Sequence, residues 1–202
     1  VDNLSLAPKS PLEPFLIAGR YGAKSAIPGV KIKEKHSFSL ASLTVFRGQY
    51  ENLSDSIFKT FGTKLLKNSE ISYSHDLQFM NIAPGQWFAY SERLSASELI
   101  SKLETSVGEL AAIVDLSDAR AIIELSGTQI HETLAKGVSL DLYSERQSQK
   151  HVFSTFAAQL SITLWSSDDG LTINIAVFRA FSQSLLKWLV ASASEFGCEI
   201  DI

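Results

Sequence analysis

Asp115, Asp118 and Asp141 are the carboxylates whose setting could serve chemistry. They lie around a stretch, 117–142, in which a strand stops at Gly127 and turns into a short helix. A carboxylate at such a turn can bind a ligand's polar edge or take a proton. It can equally cap the turn itself, and that is the favoured reading here. His36, His75, His131 and His151 are scattered, with no second His, Cys or carboxylate at metal-ligand spacing, and read as surface or packing residues. Cys198 has no evident histidine partner and no G-x-S-x-G elbow occurs. Asp168 and Asp169 are explained as a hairpin tip. Gly19 to Ser25, GRYGAKS, resembles a phosphate loop, but that loop needs a glycine where Ala23 stands and a strand in front. No G-x-G-x-x-G cradle exists for a dinucleotide. The expectation is a chain with no catalytic, cofactor-binding or metal-binding residue of its own.

The elements that would position these residues come in a repeated order. Residues 37–46 read as a strand, Tyr50, Leu53, Ile57, Phe58 and Phe61 as a helix stripe ended by Gly62, and 71–81 as a second strand. Ala83-Pro84-Gly85-Gln86 turns into a third strand at Trp87 to Tyr90. Ser95 and Glu98 have capping-box spacing ahead of Leu99, Leu103, Val107 and Leu110, and 111–116 closes the set.

After residue 116 the order recurs. Ala119, Ala121, Ile123 and Leu125 alternate with Arg120, Glu124 and Ser126. Ile130 and Leu134 begin a helix that Gly137 should end with a positive φ. Then come a long strand over 153–165, a hairpin partner over 171–178, a helix stripe of Phe181, Leu185, Trp188, Leu189 and Phe196 closed by Gly197, and a last short strand over 198–202. Arg47-Gly48-Gln49 thus answers Ser126-Gly127-Thr128, and Pro84-Gly85-Gln86 answers Asp169-Gly170-Leu171, a period of roughly 80 residues. This predicts an α+β chain of two tandem ferredoxin-like βαββαβ units, 37–116 and 117–202, behind an extended N-terminal arm, 1–36.

On the long strand Phe156, Ala158, Leu160, Ile162 and Leu164 should face the core, with Leu171, Ile173, Ile175 and Val177 on its partner. Thr155, Gln159, Ser161, Thr163, Thr172 and Asn174, with Trp165 and Phe178, line the other face. That face is read as facing water; another sheet, a partner or a planar ligand are the alternatives.

The chain has 202 residues, 45% hydrophobic, and a net charge of −4. No apolar run reaches the roughly 18 residues of a membrane span, and no secretory signal pattern is visible. One cysteine fits a reducing compartment, so cytoplasm is the expected location. Residues 1–35 carry Lys9, Arg20, Lys24, Lys31, Lys33 and Lys35 against Asp2, Glu13 and Glu34, a net +3 that leaves −7 for the body. Pro8, Pro11, Pro14 and Pro28 make the arm an extended segment without regular structure, with Phe15, Leu16 and Ile17 as an apolar anchor. It either folds back on its own domain or lies along another subunit. The acidic body argues against nucleic acid, including recognition of RNA by a ferredoxin-like sheet.

The blocks SLASLTVFRGQ (39–49), IAPGQWFAYS (82–91), VDLSDARAIIELSG (114–127), LAKGVSLDL (134–142) and FRAFSQSLLKWLVASASEFG (178–197), in this order, resemble the gamma subunit of heterotetrameric sarcosine oxidase. That family is similar in turn to the folate-binding fold of the glycine-cleavage T-protein, with Ser126-Gly127 to Leu134 opening the second half. The resemblance implies a bacterial flavoenzyme complex that oxidatively demethylates sarcosine with oxygen and tetrahydrofolate, giving glycine, hydrogen peroxide and methylene-tetrahydrofolate. It implies FAD, FMN, NAD and zinc on partner subunits, and alpha, beta and delta subunits as partners, with alpha as the main contact. No catalytic residue of the family carries over to this chain. A free-standing folate-binding or aminomethyltransferase-like protein is the alternative, with Asp115 or Asp118 as the carboxylate toward a pterin.

Overall fold

Ser95 Oγ accepts the Glu98 amide hydrogen at 3.3 Å, and Glu98 Oε2 accepts the Ser95 amide hydrogen at 2.8 Å. This reciprocal cap opens the helix α2, Ala96–Val107, whose Leu99, Leu103 and Val107 are buried on one stripe as their spacing requires. Helix α1, Tyr50–Phe61, buries Leu53 and Ile57 and ends at Gly62, left-handed with φ 72°, as the sequence predicts. In this computed structural model residues 9–24, 26–142, 150–167 and 170–201 are described. The remaining elements are β1 (Gly19–Tyr21), β2 (Val30–Lys35), β3 (Ser39–Val45), β4 (Ile71–Tyr73), β5 (Gln78–Ala83), β6 (Gln86–Ser91), β7 (Ala111–Asp115), β8 (Arg120–Ser126), α3 (Ile130–Ala135), β9 (Val152–Ala157), β10 (Leu160–Ser166), β11 (Thr172–Phe178), α4 (Ser182–Ala193) and β12 (Cys198–Asp201).

The strands form two sheets, a five-stranded one in the order β4-β5-β6-β3-β7 and a seven-stranded one in the order β1-β12-β2-β8-β11-β10-β9. Ala41, Leu43, Phe79, Trp87 and Ala89 point to one side of the smaller sheet and pack under α1 and α2. Ile32, Ile123, Leu125, Ile175 and Leu164 point to one side of the larger sheet and pack under α3 and α4. Alternation sends Leu40, Met80, Phe88 and Tyr90 from the first sheet, and Ile122, Trp165 and Ala176 from the second, into a third cluster between them. The layers are therefore helices, sheet, sheet, helices.

That layering corrects the water-facing reading for part of the polar face, while Gln159 and Ser161 are exposed. Thr163, Trp165 and Asn174 are buried against the other sheet, so the alternative of a second sheet holds. Small polar groups suit such a seam because they let backbones approach, and Asn174 Nδ2 donates to Ser167 Oγ at 2.8 Å.

The N-terminal segment departs further from expectation. Strand β2 lies inside the larger sheet, parallel to β12 (Ile200 opposite Ile32) and antiparallel to β8 (Ile32 opposite Leu125). Val30, Ile32 and Glu34 are buried while Lys31, Lys33 and Lys35 alternate with them, so a period of two was masked by charge. Leu12 and Leu16 are also buried in the core, and Ser10 Oγ donates to the Glu34 carboxylate. Residues 9–18 carry no helix or strand, as expected of the segment, but they fold back onto the chain's own body, and 19–21 and 30–35 are strands.

Two further expectations fail locally. The 153–165 strand is a hairpin, β9 and β10, turned at Ala158 (φ 47°) and Gln159 (φ 68°). Phe156 is consequently exposed, and Ala158 belongs to the turn; Leu171 is exposed too. The 71–81 strand is interrupted between β4 and β5. Gly137 has no positive φ; a Cβ there would lie 2.6 Å from Trp188 Cζ2, so close packing of α4 demands the glycine. The hairpin tip at Asp168 and Asp169 and the pseudo-loop residue Ser25 lie outside the described residues.

Candidate functional site

Asp115 is the last residue of the edge strand β7 and is exposed; its Oδ1 accepts from the Ser117 amide at 2.9 Å and from Ser117 Oγ at 2.7 Å. This is a side chain ordering its own turn, and Ser117 in turn ties down β3 by accepting the Leu40 amide hydrogen at 3.1 Å. Asp118 and Asp141 are exposed as well. Asp115 and Asp118 belong to the end of β7 and its connection to β8 while Asp141 follows α3, and among the described residues they form no metal-type cluster.

A cleft of about 430 Å³ opens where the central stretch turns from β8 to α3, lined among others by Gly127, Thr128, His131, Trp165, Ser166 and Ile173. None of the three aspartates lines it. His75 is exposed and sits 2.7 Å from Asp76, whose carboxyl is held below its ordinary range by that hydrogen bond. His36 lies 3.9 Å from buried Glu34, and His151 stacks on Phe153 at 6.1 Å. Among the described residues no three His, Cys, Asp or Glu groups gather as a metal would need. Cys198 is buried in β12, and burial with nearby Glu199 pushes its thiol up to about 11, the wrong direction for a nucleophile.

The polar chemistry that the fold does concentrate lies at the seam between the sheets, and the sequence reading missed it. Lys35, ending β2, reaches Glu92 Oε1 at 2.8 Å and Glu124 Oε2 at 3.4 Å. Tyr90 donates its hydroxyl to Glu92 Oε1 at 2.7 Å, and burial with that carboxylate raises the phenol far above its ordinary value. Arg120, opening β8, stacks on Phe178 at 3.5 Å and faces Phe88 from the other sheet at 5.7 Å. The lost signal was β2: with Lys35 placed in an arm, nothing linked it to Glu92 or Glu124. These groups bind, pair and orient; they do not make a nucleophile with a base.

The family model described as sarcosine oxidase, gamma subunit family matches residues 52–195, well over half of the chain. The chain belongs to the sarcosine oxidase gamma subunit family. The sarcosine oxidase subunit gamma of Corynebacterium sp. (strain P-1) is 27% identical over 123 residues, 60% of this chain and 55% of that relative. The same subunit of an Arthrobacter species is 27% identical over 119 residues, 57% and 56% of the two chains. The chain thus spans about half the length of the curated relatives it matches. A chain of the heterotetrameric sarcosine oxidase from Corynebacterium sp. U-96, solved in complex with pyrrole 2-carboxylate, superposes with a TM-score of 0.76 at 19% identity, covering 94% of this chain and 96% of that one. The glycine cleavage system aminomethyltransferase T from Bartonella henselae superposes with a TM-score of 0.62 at 13% identity, covering 85% of this chain and 47% of that one. Both likenesses are of fold; the family match and the curated relatives meet the expected resemblance to an oxidase gamma subunit, and the superpositions meet the expected aminomethyltransferase-like fold.

Proposed function

We propose that this chain is a non-catalytic gamma subunit of a sarcosine oxidase complex, an oxidoreductase that converts sarcosine, oxygen and tetrahydrofolate to glycine, hydrogen peroxide and methylene-tetrahydrofolate. The observation that carries this reading is the family match over residues 52–195. The fold likeness to a chain of the Corynebacterium heterotetramer supports assembly with other subunits; the partners of this reading are alpha, beta and delta subunits, with alpha as the main contact. FAD, FMN, NAD and zinc then belong to the partners, with tetrahydrofolate as co-substrate. The strand orders β7-β3-β6-β5 and β12-β2-β8-β11-β10 support two ferredoxin-like units, 37–116 and 117–202, the second widened by β2. Among the described residues no helix is long and apolar enough to cross a membrane, in keeping with a cytoplasmic complex.

Co-expression with the other three subunits tests the proposal. The complete set should yield one co-purifying complex with sarcosine-dependent peroxide production, and omission of this chain should lower the yield of assembled complex. The chain alone should carry no flavin colour and no oxidase activity. Failure to co-purify, with roughly micromolar binding of tetrahydrofolate by the chain alone, would favour the folate-binding alternative.

A further inference from the structure

The Arg120 guanidinium is half-buried, and among the described residues it makes no hydrogen bond and no ion pair; its Nε is buried without a partner. Its position is nevertheless fixed, with Cζ 3.5 Å from the Phe178 ring centroid and 5.7 Å from that of Phe88. Desolvation pulls its pKa down, and among the described residues no carboxylate counters this. Burying a charge without a partner opposes folding, so a bare, pre-ordered arginine has the character of half an interaction.

Its surroundings are apolar and open. Phe178, directly opposite Arg120 in the β8–β11 register, is 42% exposed, and Phe181 follows at 48% in the turn Arg179–Phe181. Val114, 53% exposed, shares a cross-strand row with Ser42 and Phe88, which places it within about 10 Å of Phe88. Beyond β7 the small sheet has no further strand among the described residues. Arginine held flat among aromatic groups is the composition of an interface hot spot, and an uncompensated cation selects a carboxylate.

We propose that Arg120, Phe178 and Val114 form the docking surface of this subunit and that its occupant is an acidic segment of the large subunit, an aspartate or glutamate of which pairs with Arg120. The inference rests on the sarcosine oxidase reading above. It differs from a clamp that merely stabilises the seam, because a clamp needs no counter-charge from outside.

Titrating the full-length chain against the large subunit at low and high salt tests it, using Arg120→Met, Phe178→Ser and, as a control on the outer face of α1, Phe58→Ser. Arg120→Met and Phe178→Ser should each weaken binding by about tenfold or more, with Arg120→Met also flattening the salt dependence, and Phe58→Ser should bind as the wild type does. The Tm of Arg120→Met should hold or rise, since a buried unpaired charge is removed. If Arg120→Met binds normally, or if it loses Tm while Phe178→Ser binds normally, the docking surface is overturned. Self-association abolished by Arg120→Met would replace the large subunit by a second copy and equally overturn the proposal. Wild-type chain that fails to bind the large subunit at all would instead overturn the partner reading beneath it.

Discussion

The carbonyl oxygen of Gly29 occupies the space in which a side chain on Gly127 would begin: a Cβ there would lie 2.3 Å from it. The same carbonyl accepts the Gln129 amide hydrogen at 3.0 Å, so the start of β2 and the first turn of α3 are fastened at one point. Gly127 has φ 121°, where side chains are strained in any case. Its counterpart in the first half, Gly48, has φ 77°, and a Cβ there would meet nothing within 4 Å among the described residues beyond its chain neighbours. Gly127→Ala should therefore cost about 3 kcal/mol or more by combining strain with a backbone clash. Gly48→Ala should cost about 1 kcal/mol. Urea denaturation of the two variants checks this, and equal losses would show that the β2 contact does not constrain the turn.

Strand β2 supplies the second prediction. A chain that begins after residue 35 lacks the strand between β12 and β8 and also Leu12 and Leu16, and should fail to fold rather than merely to assemble. A milder test is Ile32→Ala, at a fully buried position, with an expected loss of about 3 kcal/mol. A truncated chain with native circular dichroism and a cooperative melt would contradict the role given to β2.

Why β2 was hidden while α1 and α2 were legible is a matter of what each residue signals locally. Ser95 with Glu98, Gly62, and the Leu99-Leu103-Val107 stripe are cap and periodicity signals complete within one element. Lys31, Lys33 and Lys35 look solvated until the strands beside them supply Glu199, Asp201, Glu92 and Glu124. Burial of Thr163 and Asn174 is equally non-local, since it depends on a sheet coming from residues far away in sequence. The candidate site suffered most. Asp115 could be read as a turn residue, but Arg120 meets Phe88 only through tertiary packing.

The β9–β10 turn escaped notice because Ala158 and Gln159 hold positive φ without the glycine or asparagine that normally marks such a turn. Each carries a left-handed penalty of order 1 kcal/mol. The double substitution Ala158→Asn with Gln159→Gly installs the residue types that such a turn prefers. It should raise stability by about 1 kcal/mol in total and increase Tm without altering the fold. Differential scanning calorimetry measures it. A fall in Tm would mean that the turn is held in its shape by contacts outside the hairpin.

The ion pair across the seam predicts a pH dependence. Partial burial alone would raise the Glu92 carboxyl, but hydrogen bonds from Lys35 and Tyr90 outweigh it and hold the group below its ordinary value of 4.5. The unfolded chain therefore binds more protons than the folded one in the window below that value, and stability rises with pH there. The contribution is fully present above about pH 5 and is lost as pH falls through the depressed folded value. Since Glu92 is half exposed, the worth of the pair is under about 1 kcal/mol. Glu92→Gln should be less stable than the wild type at pH 7 by up to that amount, and Lys35 keeps Glu124 at 3.4 Å, which limits the damage. In acid, with the carboxylate protonated, the two proteins should converge. A stability difference that stays constant from neutral pH down into the acid range would locate the effect in packing around Tyr90 and remove the charge on Glu92 from the account.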